Sequence, residues 1–84
     1  MMPLIELQTG QQGVVRDLHG GRGFKSRLAT LGFTPGASVR MMRNNRHGPV
    51  IVSVRGTQIA LGRGEAQRVL IVKAEESDVY PTHY

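Results

Sequence analysis

The sequence predicts a mainly β fold, a small antiparallel barrel of about five short strands with one short helix inserted after the first strand. Three observations lead to this prediction. Apolar and polar residues alternate over several short runs, as in half-buried strands. Glycine and proline separate these runs at the spacing typical of small all-β domains. One segment between two glycine-containing turns carries its apolar residues at helical spacing instead.

The domain begins with an apolar segment at Leu4-Ile5-Glu6-Leu7. The first clear strand is predicted from Gly13 to about Leu18, and the glycine-rich stretch 20–23 ends it.

The inserted helix is predicted from Phe24 to Leu31. Phe24, Leu28 and Leu31 fall on one helical face, which should pack on the core. Gly32 follows the last apolar position, where helices commonly end in a left-handed residue, and Phe33 should fold back onto Leu28.

A tight turn and four further strands follow the helix. Pro35 and Gly36 stand in the order that a type II turn requires. The strands are expected at 37–43, 50–55, 57–61 and 68–72, with a loop or a single helical turn over 62–67. The unbroken apolar run of the last strand indicates burial on both of its faces. Closure of the barrel would remove exposed sheet edges.

Size and charge narrow the classes of function. The 84 residues make one domain, with residues 1–74 as the folded part and the polar, acidic segment 75–84 as a flexible tail. Residues 1–74 hold all eleven basic residues against three acidic ones, a net charge of +8. Such a surface should attract polyanions or an acidic protein face. No apolar run approaches the roughly 20 residues that cross a bilayer, so a cytoplasmic protein is expected.

The absence of cysteine and the placement of the other reactive residues exclude most chemistry, so no enzymatic site, metal site or cofactor is predicted. Gly20 to Ser26 looks like a phosphate-binding loop, but Phe24 stands where the Walker A motif requires glycine. The three histidines and the scattered acidic residues do not supply three or four ligands at metal-binding spacing. Asp17 and His19 form a weak pair at best.

The order and spacing of many small motifs resemble the ferrous iron transport protein A family (FeoA). The matching pieces are Leu4 and Leu7 ahead of Gly10, then Gly13, Val15 and Leu18, Arg27-Leu28, Leu31 to Gly36, Gly48-Pro49-Val50, Ile59-Ala60-Leu61, Glu65-Ala66, Val69 and Val72. The resemblance implies an SH3-like barrel. It also implies a small cytosolic accessory or regulatory role in bacterial ferrous iron uptake, by protein–protein contact with the FeoB transporter. The expected contact on FeoB is its cytosolic nucleotide-binding region.

Two groups of side chains are candidate partner-binding residues. Arg22, Lys25 and Arg27 are predicted at the start of the helix, where the helix dipole is already positive and an anionic partner would relieve repulsion. Met42 and Arg43 follow on the next strand, where an exposed methionine among arginines is an adaptable contact surface. The alternatives are that the basic side chains only extend into water and that Met42 packs under the adjoining loop.

Two functions from other classes stay open beside this non-enzymatic accessory role. The net charge of +8 also fits a nucleic-acid-binding barrel, although the exposed aromatic side chains of single-strand binders are missing. The chain is similar, too, to the C-terminal domain of iron-dependent repressors of the diphtheria-toxin-repressor type. A stand-alone metal-regulated module of that kind would bind a divalent metal.

Overall fold

The structure is a computed structural model that describes residues 1–74, so the predicted tail 75–84 lies outside the described residues. In chain order its elements are β1 (Met2–Pro3), a 3-10 turn (Leu4–Glu6), β2 (Gln12–Leu18), α1 (Arg22–Thr30), β3 (Ser38–Arg43), β4 (Val50–Val54), β5 (Thr57–Leu61), α2 (Arg63–Gln67) and β6 (Val69–Lys73). The six strands form one antiparallel sheet in the order β1-β6-β2-β3-β4-β5. The mainly β class and the helix inserted between β2 and β3 are confirmed.

A single core of sixteen apolar side chains lies inside this sheet. β6, near one end of the sheet, and β5, at the other end, both contribute side chains to this core. The sheet therefore wraps around the core. In β4 the predicted alternation is confirmed, because Val50, Val52 and Val54 are buried whereas Ile51 and Ser53 are half-buried on the outer face. No polar side chain of residues 1–74 is buried.

Bulges in β2 and β3 give the sheet its curvature. The register shifts between Val15 and Asp17 against β6, and between Met41 and Arg43 against β4. A bulge bends its strand and increases the local twist, which lets a short sheet surround a small core. In β3 the extra residue is Met42, which turns outward while Met41 is fully buried.

The end of α1 agrees with the sequence prediction. Phe33 N–H donates to the Leu28 carbonyl at 3.0 Å and Gly32 N–H to the Ala29 carbonyl at 2.9 Å, which is the hydrogen-bond pair of a Schellman cap. Phe33 and Leu28 are both fully buried in the same core, and the first of these backbone bonds joins them, as expected of a chain that folds back at the cap. The type II turn is confirmed as well, since Gly36 has φ 91° at the required position.

Two predictions around α1 are wrong in detail. The helix begins at Arg22 rather than at Phe24, because Gly21 takes the N-cap position and first-turn N–H groups need no acceptor within the helix. Leu31 is 37% exposed rather than buried. It follows the last helical residue and lies at the corner where Gly32 (φ 107°) reverses the chain.

Three further differences concern the edges and outer face of the sheet. The sequence analysis did not predict β1. It also expected the barrel to close, whereas in the observed strand order β1 and β5 are the two end strands and do not pair with each other. Val72 of β6 is 41% exposed, although burial on both faces was predicted. Because β6 pairs with β1 and β2, these two strands are the only elements of residues 1–74 that flank the outward-facing side chain of Val72.

Residues 62–67 were predicted as a loop or a single helical turn. The structure shows the helical turn, α2.

Asn44 connects three separate parts of the chain. Its Nδ2 donates to the carbonyls of Ile5 at 2.8 Å and Leu7 at 2.9 Å, around the 3-10 turn. Its Oδ1 accepts a hydrogen bond from Arg63 Nη1 at 3.2 Å, at the start of α2. One side chain therefore fixes the N-terminal turn and α2 to the end of β3.

Substituting Gly32 tests the helix cap. Gly32→Ala should lower the free energy of unfolding by about 1–2 kcal/mol, because Gly32 has a left-handed φ and an added Cβ would lie 3.2 Å from Arg55 Cδ. Gly23→Ala is the matched control, since nothing lies within 4 Å of its added Cβ. That variant should gain up to about 1 kcal/mol from helix propensity. Urea unfolding measures both, and equal effects would contradict the assignment of the cap.

The Asn44 contacts predict a second stability difference. Asn44→Ala leaves the carbonyls of Ile5 and Leu7 without their side-chain donor and removes one of two acceptors of Arg63 Nη1, which should cost about 1–3 kcal/mol. Asn45→Ala, at an exposed neighbouring position, should change the free energy of unfolding by less than about 0.5 kcal/mol. Thermal unfolding of the two variants measures this difference. Equal unfolding midpoints would contradict the structural role of Asn44.

Candidate partner-binding surface

Positive and negative side chains are separated along the chain. From Leu18 to Gly64 the chain has eight basic residues and no acidic residue. This segment contains α1, β3, β4, β5 and the start of α2. The three acidic residues of the described part, Glu6, Asp17 and Glu65, all lie outside it. We call residues 18–64 the acid-free segment.

Three of its cations have structural roles. Arg27 forms an ion pair with Glu65, whose Oε1 also accepts the N–H of Gly62 at 3.1 Å at the start of α2. Arg55 donates from Nη2 to Thr34 Oγ1 at 2.8 Å and from Nε to the Gly32 carbonyl at 3.3 Å. Arg63 is held by Asn44, as described above. These side chains join α1, its C-terminal loop and α2 to the sheet.

Of the first predicted group, Arg22, Lys25 and Arg27, only the first two lie near the start of α1. Arg22 and Lys25 are exposed in the first two turns of α1, and they make no side-chain hydrogen bond or ion pair within residues 1–74. The prediction that Arg27 joins them at the helix start is wrong. Because α1 begins at Arg22, residue 27 falls in the last turn, where it reaches Glu65 of α2.

Phe24 lies between these two cations in the sequence and anchors the helix. Its ring is half-buried against the core, and the Arg68 guanidinium lies 5.4 Å from the ring centroid. A cation at this distance over an aromatic face is attracted to it. The start of α1 is therefore attached to the chain just before β6.

The second predicted group lies on the outer face of the sheet. Met42 is 38% exposed and Arg43 is exposed, so the alternative that Met42 packs under the loop is wrong. Together with Ile51 and Gln58 they line an open groove of about 370 Å³. The groove runs across β3, β4 and β5, and all four side chains belong to the acid-free segment.

Sequence reasoning did not assign Ile51 and Gln58 to this surface. The period-two pattern of β4 already placed Ile51 opposite the buried valines, which is the signal that could have found it. Gln58 carried no such signal. Its position depends on the pairing of β5 with β4, where Gln58 lies opposite Ser53 and Ala60 opposite Ile51.

A second groove, of about 480 Å³, surrounds Asn44, just beyond the same end of β3. Its polar side chains include Arg63 and Thr9, which already hydrogen-bond to Asn44. These contacts hold the fold together, and Glu6 places a carboxylate on this groove, whereas no acidic residue lines the one beside Met42.

Residues 1–74 contain no group of three or more histidine, cysteine or acidic side chains placed to hold a metal ion. The predicted weak pair is present, with His19 Nε2 at 3.6 Å from Asp17 Oδ2, and both side chains are exposed. Among the helices described here, none is long and apolar enough to cross a membrane.

Comparison with known proteins identifies the family. The model of the FeoA domain matches residues 2–73. A Methanocaldococcus jannaschii protein provisionally named Fe(2+) transport protein A is 36% identical over 75 residues, which cover 89% of this chain and 90% of the relative.

Solved structures agree with this match. A crystal structure of an iron uptake regulatory protein (FeoA) superposes with a TM-score of 0.83 at 37% identity, covering 87% of this chain and 97% of that one. The Stenotrophomonas maltophilia FeoA, solved with zinc and described as an SH3 domain protein, gives 0.72 at 37% identity over 84% and 89% of the two chains. The chain therefore belongs to the FeoA family, an SH3-like accessory family of ferrous iron transport.

Proposed function

We propose that this protein is a non-enzymatic, cytoplasmic accessory of ferrous iron uptake that acts by binding the FeoB transporter. The observation that carries the proposal is the groove beside Met42 within the acid-free segment. Charge complementarity speeds and orients the encounter of two proteins, whereas apolar contacts at the centre of an interface hold the complex. An acidic face of the transporter with apolar side chains fits both features.

The two groups of candidate residues have different parts in this contact. Arg22 and Lys25 add their charge to the positive N-terminal end of the α1 dipole and so attract an acidic surface. Met42 and Arg43 supply the adaptable apolar contact and the charge beside it. Arg27 is left out of the interface, because Glu65 already pairs with it. The cytosolic nucleotide-binding region of FeoB is the proposed binding partner for these residues.

Binding measurements with charge-reversal variants test the proposal. The protein should bind full-length FeoB, and its soluble nucleotide-binding region, saturably in about 150 mM salt, where loose charge attraction is screened. Arg43→Glu should raise the Kd at least about tenfold, because it sets a like charge against an acidic partner. The Arg22→Glu, Lys25→Glu double variant should mainly slow association.

Lys73→Glu is the matched control, since Lys73 is an exposed cation at the end of β6 and outside the acid-free segment. It should leave the Kd within about twofold, as expected of a charge away from the interface. Absence of saturable binding to both FeoB preparations would contradict the proposal. Tight, steeply salt-dependent binding to a random oligonucleotide in the same experiment would assign the surface to nucleic acid instead.

A further inference from the structure

The two edges of the sheet are built differently. β1, at one end, has only two residues and contains Pro3, which has no N–H to offer to another strand. β5, at the other end, has five residues without charge, proline or register shift. Short edge strands, charges, prolines and bulges are the usual protection against pairing with another chain. β5 has none of these within its own length.

The β4–β5 hairpin determines which backbone groups of β5 point away from the sheet. Arg55 (φ 51°) and Gly56 (φ 81°) form a two-residue turn of type I′. The pair that flanks such a turn, Val54 with Thr57, is hydrogen-bonded, and hydrogen-bonded pairs alternate along an antiparallel ladder. Gln58 and Ala60 therefore direct their N–H and C=O groups outward, where no hydrogen bond within residues 1–74 uses them.

The open edge adjoins the groove described above. Gln58 belongs to both, since its side chain lines the groove with Met42 and Ile51 while its backbone faces outward. A strand added along β5 would lie about 4.8 Å away, and every second side chain of it would stand on the outer face beside the groove. Backbone pairing and side-chain contact would then occur on one continuous surface.

We propose that the outer edge of β5 and this groove bind an extended, acidic segment of a partner protein, which adds a seventh strand to the sheet. Arg55 and Arg63 flank the two ends of β5, Arg43 lines the groove, and the carboxylate next to the end of β5, Glu65, is already paired with Arg27. Backbone hydrogen bonds supply affinity in such strand addition, and alternate side chains supply specificity. The inference deepens the proposed function, on which it rests, because it specifies the segment of the partner that binds.

A second copy of the chain fits the same edge less well. Antiparallel pairing of two β5 strands centred on Ile59 would bring Arg55, in the turn before β5 of one chain, towards Arg63, at the start of α2 of the other, and like charges repel. Nucleic acid shares the attraction to cations but has no backbone amides with which to extend a β ladder. An acidic polypeptide is the ligand that satisfies both the charge and the open edge.

Amide NMR on the whole chain tests the inference with a defined probe. The probe is a synthetic nine-residue peptide of alternating glutamate and valine, and the control peptide has lysine in place of glutamate. The acidic peptide should shift the amide signals of Gln58 and Ala60 and slow their hydrogen exchange at least about tenfold, because these N–H groups become hydrogen-bonded. The lysine peptide should leave both amides unchanged.

Proline variants separate backbone pairing from charge attraction. Ala60→Pro removes an outward donor and leaves the β4 ladder intact, so the Kd for the acidic peptide should rise at least about tenfold while the unfolding midpoint stays near that of the unaltered protein. If that variant folds poorly, Gln58→Pro removes the other outward donor. Unchanged peptide affinity in a folded proline variant would overturn the inference.

Three other outcomes would also overturn it: no response of the β5 amides at millimolar peptide, a response to an oligonucleotide of the same charge, or slowed exchange that depends only on protein concentration. The last would mean that copies of the chain pair with each other. Binding of FeoB without protection of Gln58 and Ala60 would refute strand addition and leave the proposed function intact. Peptide binding at β5 without FeoB binding would refute the proposed function alone.

Discussion

The structure depends on bending six short strands around one small core. Sixteen apolar side chains are too few to fill the space between two flat layers, so the sheet itself must enclose them. The bulges in β2 and β3 provide the bend. The bulge in β3 also has a consequence for the surface, because it turns Arg43, which regular alternation would place on the side of the buried Met41, outward beside Met42. The same local irregularity thus serves both the fold and the candidate site.

The positive side chains are concentrated in elements that follow one another in the chain. The acid-free segment forms α1 and the three consecutive strands β3, β4 and β5, whereas Glu65 lies in α2 and neutralises Arg27 from there. Contacts of Arg27, Arg55 and Arg68 fasten α1 and its loop to the rest of the domain, so the remaining cations project from rigid elements. Side chains held on rigid elements lose less freedom when a partner binds.

The parts of the fold that the sequence predicted are those fixed by neighbouring residues. The cap at Gly32, the contact of Phe33 with Leu28 and the alternation in β4 all follow from local conformational preferences. The missed features depend on pairing between distant segments. Neither the partner of Arg27 nor the open edge at β5 can be found without knowing that α2 approaches α1 and that β5 ends the sheet. For the candidate site, Met42 was predicted from the strand pattern and Arg43 from the arginines around it, but Ile51 and Gln58 join them only through strand register.

The face and edge formed by β3, β4 and β5 are the proposed contact with the transporter. Hydrogen–deuterium exchange of the protein, alone and bound to full-length FeoB, tests this placement. Binding should slow exchange in peptides covering residues 40–60 and leave exchange in the peptides of β1 and β6 unchanged. Saturable binding with slowed exchange only in β1, β6 or α2, and none across residues 40–60, would contradict it.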